Sequence, residues 1–284
     1  MDQPFLYSRY SDLQRADNLF VLEEYLRLLR WDSSPGVGRG GPYAVLDIGV
    51  GDGRFAVEVL VPRLPGKCER FVGVDSSEVM VKFANQHYKS RHMEFVQLDI
   101  ASDTVDPSLE RSFDHVFSFY TLHWVRRQRQ AFQNIYKLLK PGGDALLAFL
   151  ATNPIYDIHQ IMASNEKWKH YMKTDYIAPY HKKKHPEKQL ERILKQVGFT
   201  KYMCRLENRS HQFHGVDVLR KSIKAVNPIV SNLSEPEAKE YMDDFMKEIV
   251  ELPTVKIEKI NNNPETITIN YKLFIVYALR PDEE

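Results

Sequence analysis

The sequence predicts an α/β protein built on a doubly wound, mostly parallel sheet. Residues 45–53 (VLDIGVGDG) form an apolar segment that runs directly into a glycine-rich turn, and residues 71–75 (FVGVD) form a second that ends in a carboxylate. Strand-like segments alternate with helical ones up to about residue 150, which is the order that gives parallel strands joined by helices. Because ligands bind at the carboxyl ends of such strands, we expect the functional site there.

Before the first strand, the spacing of apolar residues predicts a helix over residues 17–29. Its apolar residues are Leu19, Phe20, Leu22, Leu26 and Leu29. This face suits packing on the sheet or closing over a cofactor. Gln14 lies just before the predicted helix, and we expect it on a mobile lid that excludes water. Residues 36–42 (GVGRGGP) predict a flexible linker rather than a phosphate loop, because no strand precedes them.

The glycine-rich turn indicates which kind of nucleotide is bound. A dinucleotide fingerprint reads G-x-G-x-x-G. The glycines here are Gly49, Gly51 and Gly53. They alternate and Arg54 takes the sixth position, which disfavours a pyrophosphate. Asp47 adds a carboxylate that suits a cationic ligand group, and Asp75 can accept both hydroxyl hydrogens of a ribose. S-adenosylmethionine, with its ammonium, sulfonium and ribose, fits these charges.

Three further strands complete the first half of the chain. Residues 93–100 (MEFVQLDI) predict a third strand that ends at Asp99, whose carboxylate is expected to accept the adenine amino group. Residues 113–124 (FDHVFSFYTLHW) predict a fourth strand that runs into a polar and aromatic loop. A helix over residues 127–139, stopped by KPGG, leads to a fifth strand at residues 145–150.

The second half departs from strict alternation. Residues 154–180 and 235–250 carry methionines and bulky apolar side chains at helical spacing. Two interpretations stay open for these side chains, because the spacing fits both protein core and the lining of a pocket for a long hydrocarbon.

The remaining segments predict the end of the sheet. A helix over residues 183–197 stops at Gly198, and closing strands follow at residues 200–206 and 266–278. The segment between the closing strands, residues 208–263, is expected to be an insertion. It would supply the second part of a cap over the sheet.

Composition argues against several classes of protein. In a chain of 284 residues, a net charge of +1 gives no electrostatic attraction to nucleic acid or anionic membranes. The two cysteines, Cys68 and Cys204, match no metal or disulfide pattern. Charged residues interrupt any apolar run at the N-terminus, and no later stretch is long enough to span a bilayer. We therefore expect a cytoplasmic protein without a metal; its oligomeric state is not readable.

Residues 43–153 resemble the class I S-adenosylmethionine-dependent methyltransferases. The resemblance lies in VLDIGVGDG, FVGVD, QLDI, FDHVFS and LLKPGG, which occur in the order and spacing of that family. It implies a seven-stranded sheet with one antiparallel edge pair. It also implies that Asp47, Gly49 and Gly51 line the methionine end, Asp75 with Ser76 the ribose, Asp99 with Ile100 the adenine, and Ser118 with Phe119 the sulfonium.

A second resemblance spans nearly the whole chain. The segments YSRYSDLQRAD, SFYTLHWV, LLKPGGDALLAFLATNPIY, EKW and KLFIVYA are similar to the juvenile hormone acid methyltransferases of insects, which esterify farnesoic acid and juvenile hormone acids. Gln14 and Trp124 match the pair that hydrogen-bonds the substrate carboxylate in related carboxyl methyltransferases. The resemblance implies a lid and linker (1–42), a cofactor-binding core (43–153), and a helical substrate-binding cap with the closing elements (154–284).

Methyl transfer to a carboxylate makes few acid–base demands, because the acid is already ionised at neutral pH. The protein must align the reacting atoms and exclude water. His123 leaves two interpretations open, since it could orient the carboxylate or act as the base that methylates a hydroxyl or phenol. A non-catalytic protein that binds S-adenosylmethionine is a further alternative. The sequence favours a carboxyl O-methyltransferase whose partner is a small hydrophobic isoprenoid acid.

Overall fold

Eight strands form one mixed sheet in the computed structural model, which describes residues 4–31, 41–173, 176–259 and 264–283. The strands are β1 (Tyr43–Ile48), β2 (Cys68–Asp75), β3 (Met93–Gln97), β4 (Phe113–Phe119), β5 (Leu139–Thr152), β6 (Lys201–His214), β7 (Val255–Glu258) and β8 (Thr266–Leu279). Seven of them follow the order β3-β2-β1-β4-β5-β8-β6, and β7 pairs with β8 beside this path. Strands β1 to β5 are parallel, whereas β8 is antiparallel to β5, β6 and β7.

Helices cover the sheet and extend beyond its carboxyl edge. They are α1 (Pro4–Tyr10), α2 (Asp12–Tyr25), α3 (Val61–Arg63) preceded by a π-helical turn (Ala56–Leu60), α4 (Glu78–Tyr88), α5 (Gln128–Leu138), α6 (Pro154–Ser164), α7 (Pro186–Val197), α8 (Val216–Val226) and α9 (Glu235–Val250). The doubly wound, mostly parallel sheet with its antiparallel end is thus confirmed. Beside the seven expected strands, β7 is an additional short one.

The centre of the sheet brings the ends of three strands together. Strand β4 is buried at every position, as expected for a parallel strand covered on both faces. The register places Ile48, the last residue of β1, beside Val74 of β2 and Ser118 of β4. The loops that leave β1, β2 and β4 therefore meet at one edge, where the sequence predicts the functional site.

The N-terminal helix begins earlier than predicted. Helix α2 starts at Asp12 rather than at residue 17 and ends at Tyr25, with a 3₁₀ turn (Leu26–Leu28) after it. The apolar residues used for the prediction begin at Leu19, whereas the first turn of the helix has one apolar residue, Leu13, and an acidic residue at its start, which suits the helix dipole. Gln14 consequently lies within α2 instead of before it. Most of the predicted 36–42 linker lies outside the described residues.

Near the C-terminus, the first closing strand is longer than predicted. Strand β6 continues to His214, because it pairs with β8 along its whole length. The insertion therefore begins at Gly215 rather than near residue 208, and it contains α8, α9 and β7. Helix α7 ends as predicted at Gly198, which has a φ of +115°.

Candidate functional site

The turn after β1 is shaped by backbone that only glycine adopts easily. Gly49, Gly51 and Gly53 have φ values of +75°, +60° and +80°. A Cβ on Gly49 would lie 1.9 Å from the hydroxyl oxygen of Thr121, so a larger residue has no room there. The amides of Gly49 and Val50 donate to the carbonyl of Val74, at 2.7 and 3.0 Å, and this fastens the turn to β2.

Asp75 ends β2 and is held in place by this turn. Its Oδ2 accepts a hydrogen bond from the amide of Gly51 at 3.0 Å, and its Oδ1 accepts one from the amide of Ser77 at 2.9 Å. These two bonds orient the carboxylate at the edge of the turn, and a carboxylate is the kind of group that accepts ribose hydroxyls. The geometry makes Asp75 both the support of the turn and a candidate ligand group.

A cavity of about 490 Å³, here called the cofactor cavity, opens over the turn. Seven of the predicted cofactor residues line it, namely Gly49, Gly51, Asp75, Ser76, Asp99, Ile100 and Phe119. Ser118 is buried instead, and its hydroxyl donates to the carbonyl of Ile48 at 2.9 Å. Asp47 is 4% exposed and lies behind the lining. Burial, with the nearby charge of Asp75, raises the pKa of Asp47 to about 8.

A second cavity, of about 70 Å³ and mainly apolar, adjoins the first and is here called the apolar cavity. All three predicted substrate-binding residues, Gln14, His123 and Trp124, line it. Four residues line both cavities: Tyr7, Tyr120, Trp124 and Val226. The two cavities thus meet at the carboxyl end of β4, and no lysine, arginine, aspartate or glutamate is among the described residues around the apolar cavity.

The donors in the apolar cavity are uncharged. Neither the Gln14 amide nor the Trp124 indole has a hydrogen-bond partner among residues 4–31, 41–173, 176–259 and 264–283. His123 is buried, and its Nδ1 accepts a hydrogen bond from the amide of Leu150 at 3.3 Å. Burial lowers the pKa of His123 to about 3, so the ring is neutral and carries its proton on Nε2. This geometry suits a donor better than a general base.

The cap contributes to the apolar cavity mainly through a segment that periodicity did not single out. Helix α8 supplies Leu219, Ser222, Ile223 and Val226. From α6, Ile155 and Tyr156 reach the cavity, and from α9 Ile249 does so. Most other apolar residues of α6 and α9 are core, including Ile158, Met162, Tyr241 and Phe245. Of the two open interpretations, core therefore applies to most of these side chains.

Arg54, which set this turn apart from a dinucleotide motif, joins the turn to α1. Its guanidinium donates to the hydroxyl of Ser8 at 2.9 Å and to the carbonyl of Ser8 at 3.2 Å. It also pairs with Glu58 at 2.9 Å. Helix α1 is thereby held over the cofactor cavity, where Tyr7 lies between the two cavities.

Sequence reasoning also missed Tyr7, Asp17 and Tyr120. Tyr7 and Tyr120 line both cavities, and Asp17 is buried beneath them. For Tyr7 and Tyr120 a weak signal existed, since they lie in the segments YSRYS and SFYTLHW that carry the second resemblance. Asp17 ends the longer segment YSRYSDLQRAD of the same resemblance, but its role was not predictable, because its partners are 103 to 254 residues away along the chain.

The described residues contain neither a membrane-spanning helix nor a metal-binding cluster. None of the helices in the described ranges is both long and apolar enough to cross a membrane. The same ranges contain no group of three or more histidine, cysteine, aspartate or glutamate side chains arranged to hold a metal ion.

The chain is similar in sequence to known methyltransferases. A family model described as a methyltransferase domain matches residues 46–147. The chain is 36% identical over 283 residues to juvenile hormone acid O-methyltransferase of Bombyx mori, covering 98% of this chain and 97% of that protein. It is 34% identical over 287 residues to the Drosophila melanogaster protein of the same name, covering 100% of this chain and 94% of that protein.

Solved structures show the same fold at low sequence identity. The YcgJ protein of Bacillus subtilis has a TM-score of 0.55 and 16% identity, covering 96% of this chain and all of that one. A Haemonchus contortus phosphoethanolamine N-methyltransferase 2, solved with S-adenosylhomocysteine, has a TM-score of 0.51 and 20% identity, covering 94% of this chain and 53% of that one.

Proposed function

Because the chain belongs to the juvenile hormone acid O-methyltransferase family, we propose that it transfers the methyl group of S-adenosylmethionine to the carboxylate of a hydrophobic isoprenoid acid, such as farnesoic acid or juvenile hormone acid. One observation carries the proposal. The cofactor cavity meets an apolar cavity that offers neutral donors and has no charged side chain among its described lining residues.

The residues present fit this cofactor. A Cβ on Gly51 would have one neighbour, the ring of Tyr7 at 3.7 Å, so this glycine leaves open a space that a side chain would fill. Asp75 is held beside it by hydrogen bonds from the amides of Gly51 and Ser77. Asp47 supplies a carboxylate near the turn, where it can attract an ammonium or sulfonium group. When bound, S-adenosylmethionine supplies an electrophilic methyl group on a positively charged sulfur.

The protein's part in the reaction is to position the carboxylate and to exclude water from it. One carboxylate oxygen forms the new bond to the methyl carbon as the carbon–sulfur bond breaks, and the electron pair of that bond stays on sulfur. No proton moves, so no base is required. Gln14, Trp124 and the Nε2–H of His123 can donate to the acid. Neutral donors hold the anion without stabilising its charge as strongly as an arginine would.

The proposal is tested by transfer of a labelled methyl group to matched acceptors. Farnesoic acid and juvenile hormone acid should be esterified, whereas farnesol, which has the same chain but no carboxylate, should not react. A straight-chain fatty acid tests the shape of the pocket, and a catechol tests hydroxyl chemistry. Methylation of the catechol or farnesol in place of the acids would contradict the proposal.

The pH dependence of cofactor binding should report on Asp47. Below pH 8 the carboxyl is protonated in the free protein. A bound cation favours its ionised form, so binding releases a proton and affinity rises with pH, by at most about tenfold per unit. We expect this rise between pH 6 and 7.5. Calorimetry in two buffers of different ionisation enthalpy measures the protons released. An Asp47→Asn variant should lose both effects, and proton-independent binding by the unchanged chain would contradict the assignment.

Turnover, in contrast, should not follow a histidine titration. Because the pKa of His123 is held at about 3, kcat at saturating cofactor and acid should be nearly flat from pH 6 to 8. The His123→Phe variant should turn over about tenfold more slowly, because one oriented donor is lost, with the same flat profile. A kcat that rises through about pH 6.5 and loses this rise in the variant would instead support His123 as a base.

A further inference from the structure

One buried carboxylate, that of Asp17, joins the N-terminal helix to the walls of both cavities. Asp17 is 1% exposed. Its Oδ1 accepts a hydrogen bond from Nε of Arg209 at 2.9 Å. Its Oδ2 accepts hydrogen bonds from the hydroxyls of Tyr271, at 2.8 Å, and Tyr120. These donors come from β6, β8 and the loop after β4. Since a buried carboxylate is costly unless paired, the position of Asp17 fixes α2 against all three.

Two substrate-facing groups depend on this arrangement. Gln14 lies three residues before Asp17 on α2, so both side chains are on one face of the helix. Tyr120 lines both cavities and has a φ of +55°, a strained backbone conformation that its surroundings must maintain. Burial raises the pKa of both Tyr120 and Tyr271, so their hydroxyls remain protonated donors.

We propose that Asp17 is a positioning residue, which holds Gln14 and Tyr120 in their relative positions where the apolar cavity meets the cofactor cavity. The carboxylate of the acid would then meet the methyl group in line. This inference rests on the proposed function, and in particular on Gln14 as a donor to the acid. It assigns a role to Arg209 and Tyr271 as well, although neither lines a cavity.

A pair of matched variants separates positioning from stability. Tyr271→Phe removes a hydroxyl that binds Asp17. Tyr25→Phe removes a hydroxyl that donates to Glu207 at 3.1 Å, which also joins α2 to β6 but lies farther along the helix. Each should lower the melting temperature by about 2–4 °C. Only Tyr271→Phe should lower kcat/KM for farnesoic acid, by about tenfold. Its Kd for the cofactor should stay within about twofold of that of the unchanged chain. Equal loss of kcat/KM in both variants would overturn the inference.

A double-mutant cycle tests whether Asp17 acts through Gln14. Asp17→Asn keeps the side-chain shape, and Gln14→Ala removes the donor. If Asp17 acts partly through Gln14, the double variant should lose less kcat/KM than the product of the two single losses, whereas independent roles give multiplied losses. Multiplied losses overturn the positioning role and leave the proposed function intact. No loss from Gln14→Ala alone overturns the inference and the role of Gln14 as a donor, whereas only failure of the unchanged chain to esterify the acids overturns the proposed function. If Asp17→Asn does not fold, the cycle is run with Tyr271→Phe.

Discussion

A Gln14→Ala variant should esterify farnesoic acid about 100-fold more slowly than the unchanged chain while binding S-adenosylmethionine with nearly unchanged affinity. Gln14 lines the apolar cavity and is not among the residues around the cofactor cavity. A hydrogen bond to a charged group contributes roughly 1.5–3 kcal/mol, which corresponds to about 10- to 150-fold in rate when the bond aligns the reacting oxygen. Single-turnover kinetics and cofactor titration measure the two quantities separately.

Leu13→Ala provides a matched control, because Leu13 is the neighbouring residue on α2 and also lines the apolar cavity. It removes apolar contact but no donor, so the expected effect is a higher KM with a smaller change in kcat. Gln14→Glu should lower the rate of esterification more than Gln14→Ala does, because a carboxylate repels the acid. If Gln14→Ala weakened cofactor binding as much as turnover, the assigned role would be wrong.

An Asp75→Ala variant should have the opposite phenotype, with the Kd for S-adenosylmethionine raised about 100-fold. The change removes the acceptor for the ribose hydroxyls, and it also removes the acceptor that orients Gly51 and Ser77. Each such bond to a charged group contributes roughly 1.5–3 kcal/mol, so losses of this size are expected from the ribose contacts alone. At saturating cofactor, kcat should fall much less. Equilibrium dialysis or calorimetry measures the affinity.

Asp106→Ala is the control for a lost backbone cap. Like Asp75, Asp106 accepts a hydrogen bond from the backbone amide two residues later, that of Ser108 at 2.9 Å. Unlike Asp75, it is not among the residues that line either cavity. Its removal should leave cofactor affinity unchanged. The cofactor affinity of Asp75→Asn should lie between those of Asp75→Ala and the unchanged chain, because an amide oxygen still accepts one backbone hydrogen bond. An Asp75→Ala variant with normal affinity and low kcat would show that Asp75 does not bind the ribose.

The places in the fold of the proposed cofactor residues were predictable because their signals are local. Gly49 and Gly51 follow β1 directly, and Asp75 ends the next strand, so short segments carry both the chemistry and the expected place in the fold. The parallel sheet then brings these segments to one edge without further information. Seven of the predicted residues lie around the cofactor cavity for this reason. Ser118 is the exception. The sequence of β4 did not reveal that the Ser118 hydroxyl donates to the carbonyl of Ile48 instead of facing the cavity.

The substrate half depends on contacts between distant segments, which periodicity does not encode. Helix α8 forms much of the apolar wall, yet its spacing equals that of any amphipathic helix. Asp17 looks like an ordinary polar residue of a surface helix until Tyr120, Arg209 and Tyr271 fold around it. Gln14 and Trp124 were found only through resemblance. Their roles remain predictions, although the structure brings them to the same cavity.

The absence of charged side chains among the described residues around the apolar cavity also affects how the two products are released. Conversion of the acid to its methyl ester removes the negative charge that made each donor's hydrogen bond strong, so the ester is held mainly by its hydrocarbon chain. At the proposed cofactor site, the nucleoside product keeps its ribose and ammonium and hence the contacts proposed for Asp75 and Asp47. We therefore expect the ester to leave first, so that accumulation of S-adenosylhomocysteine, rather than of the ester, should slow the enzyme.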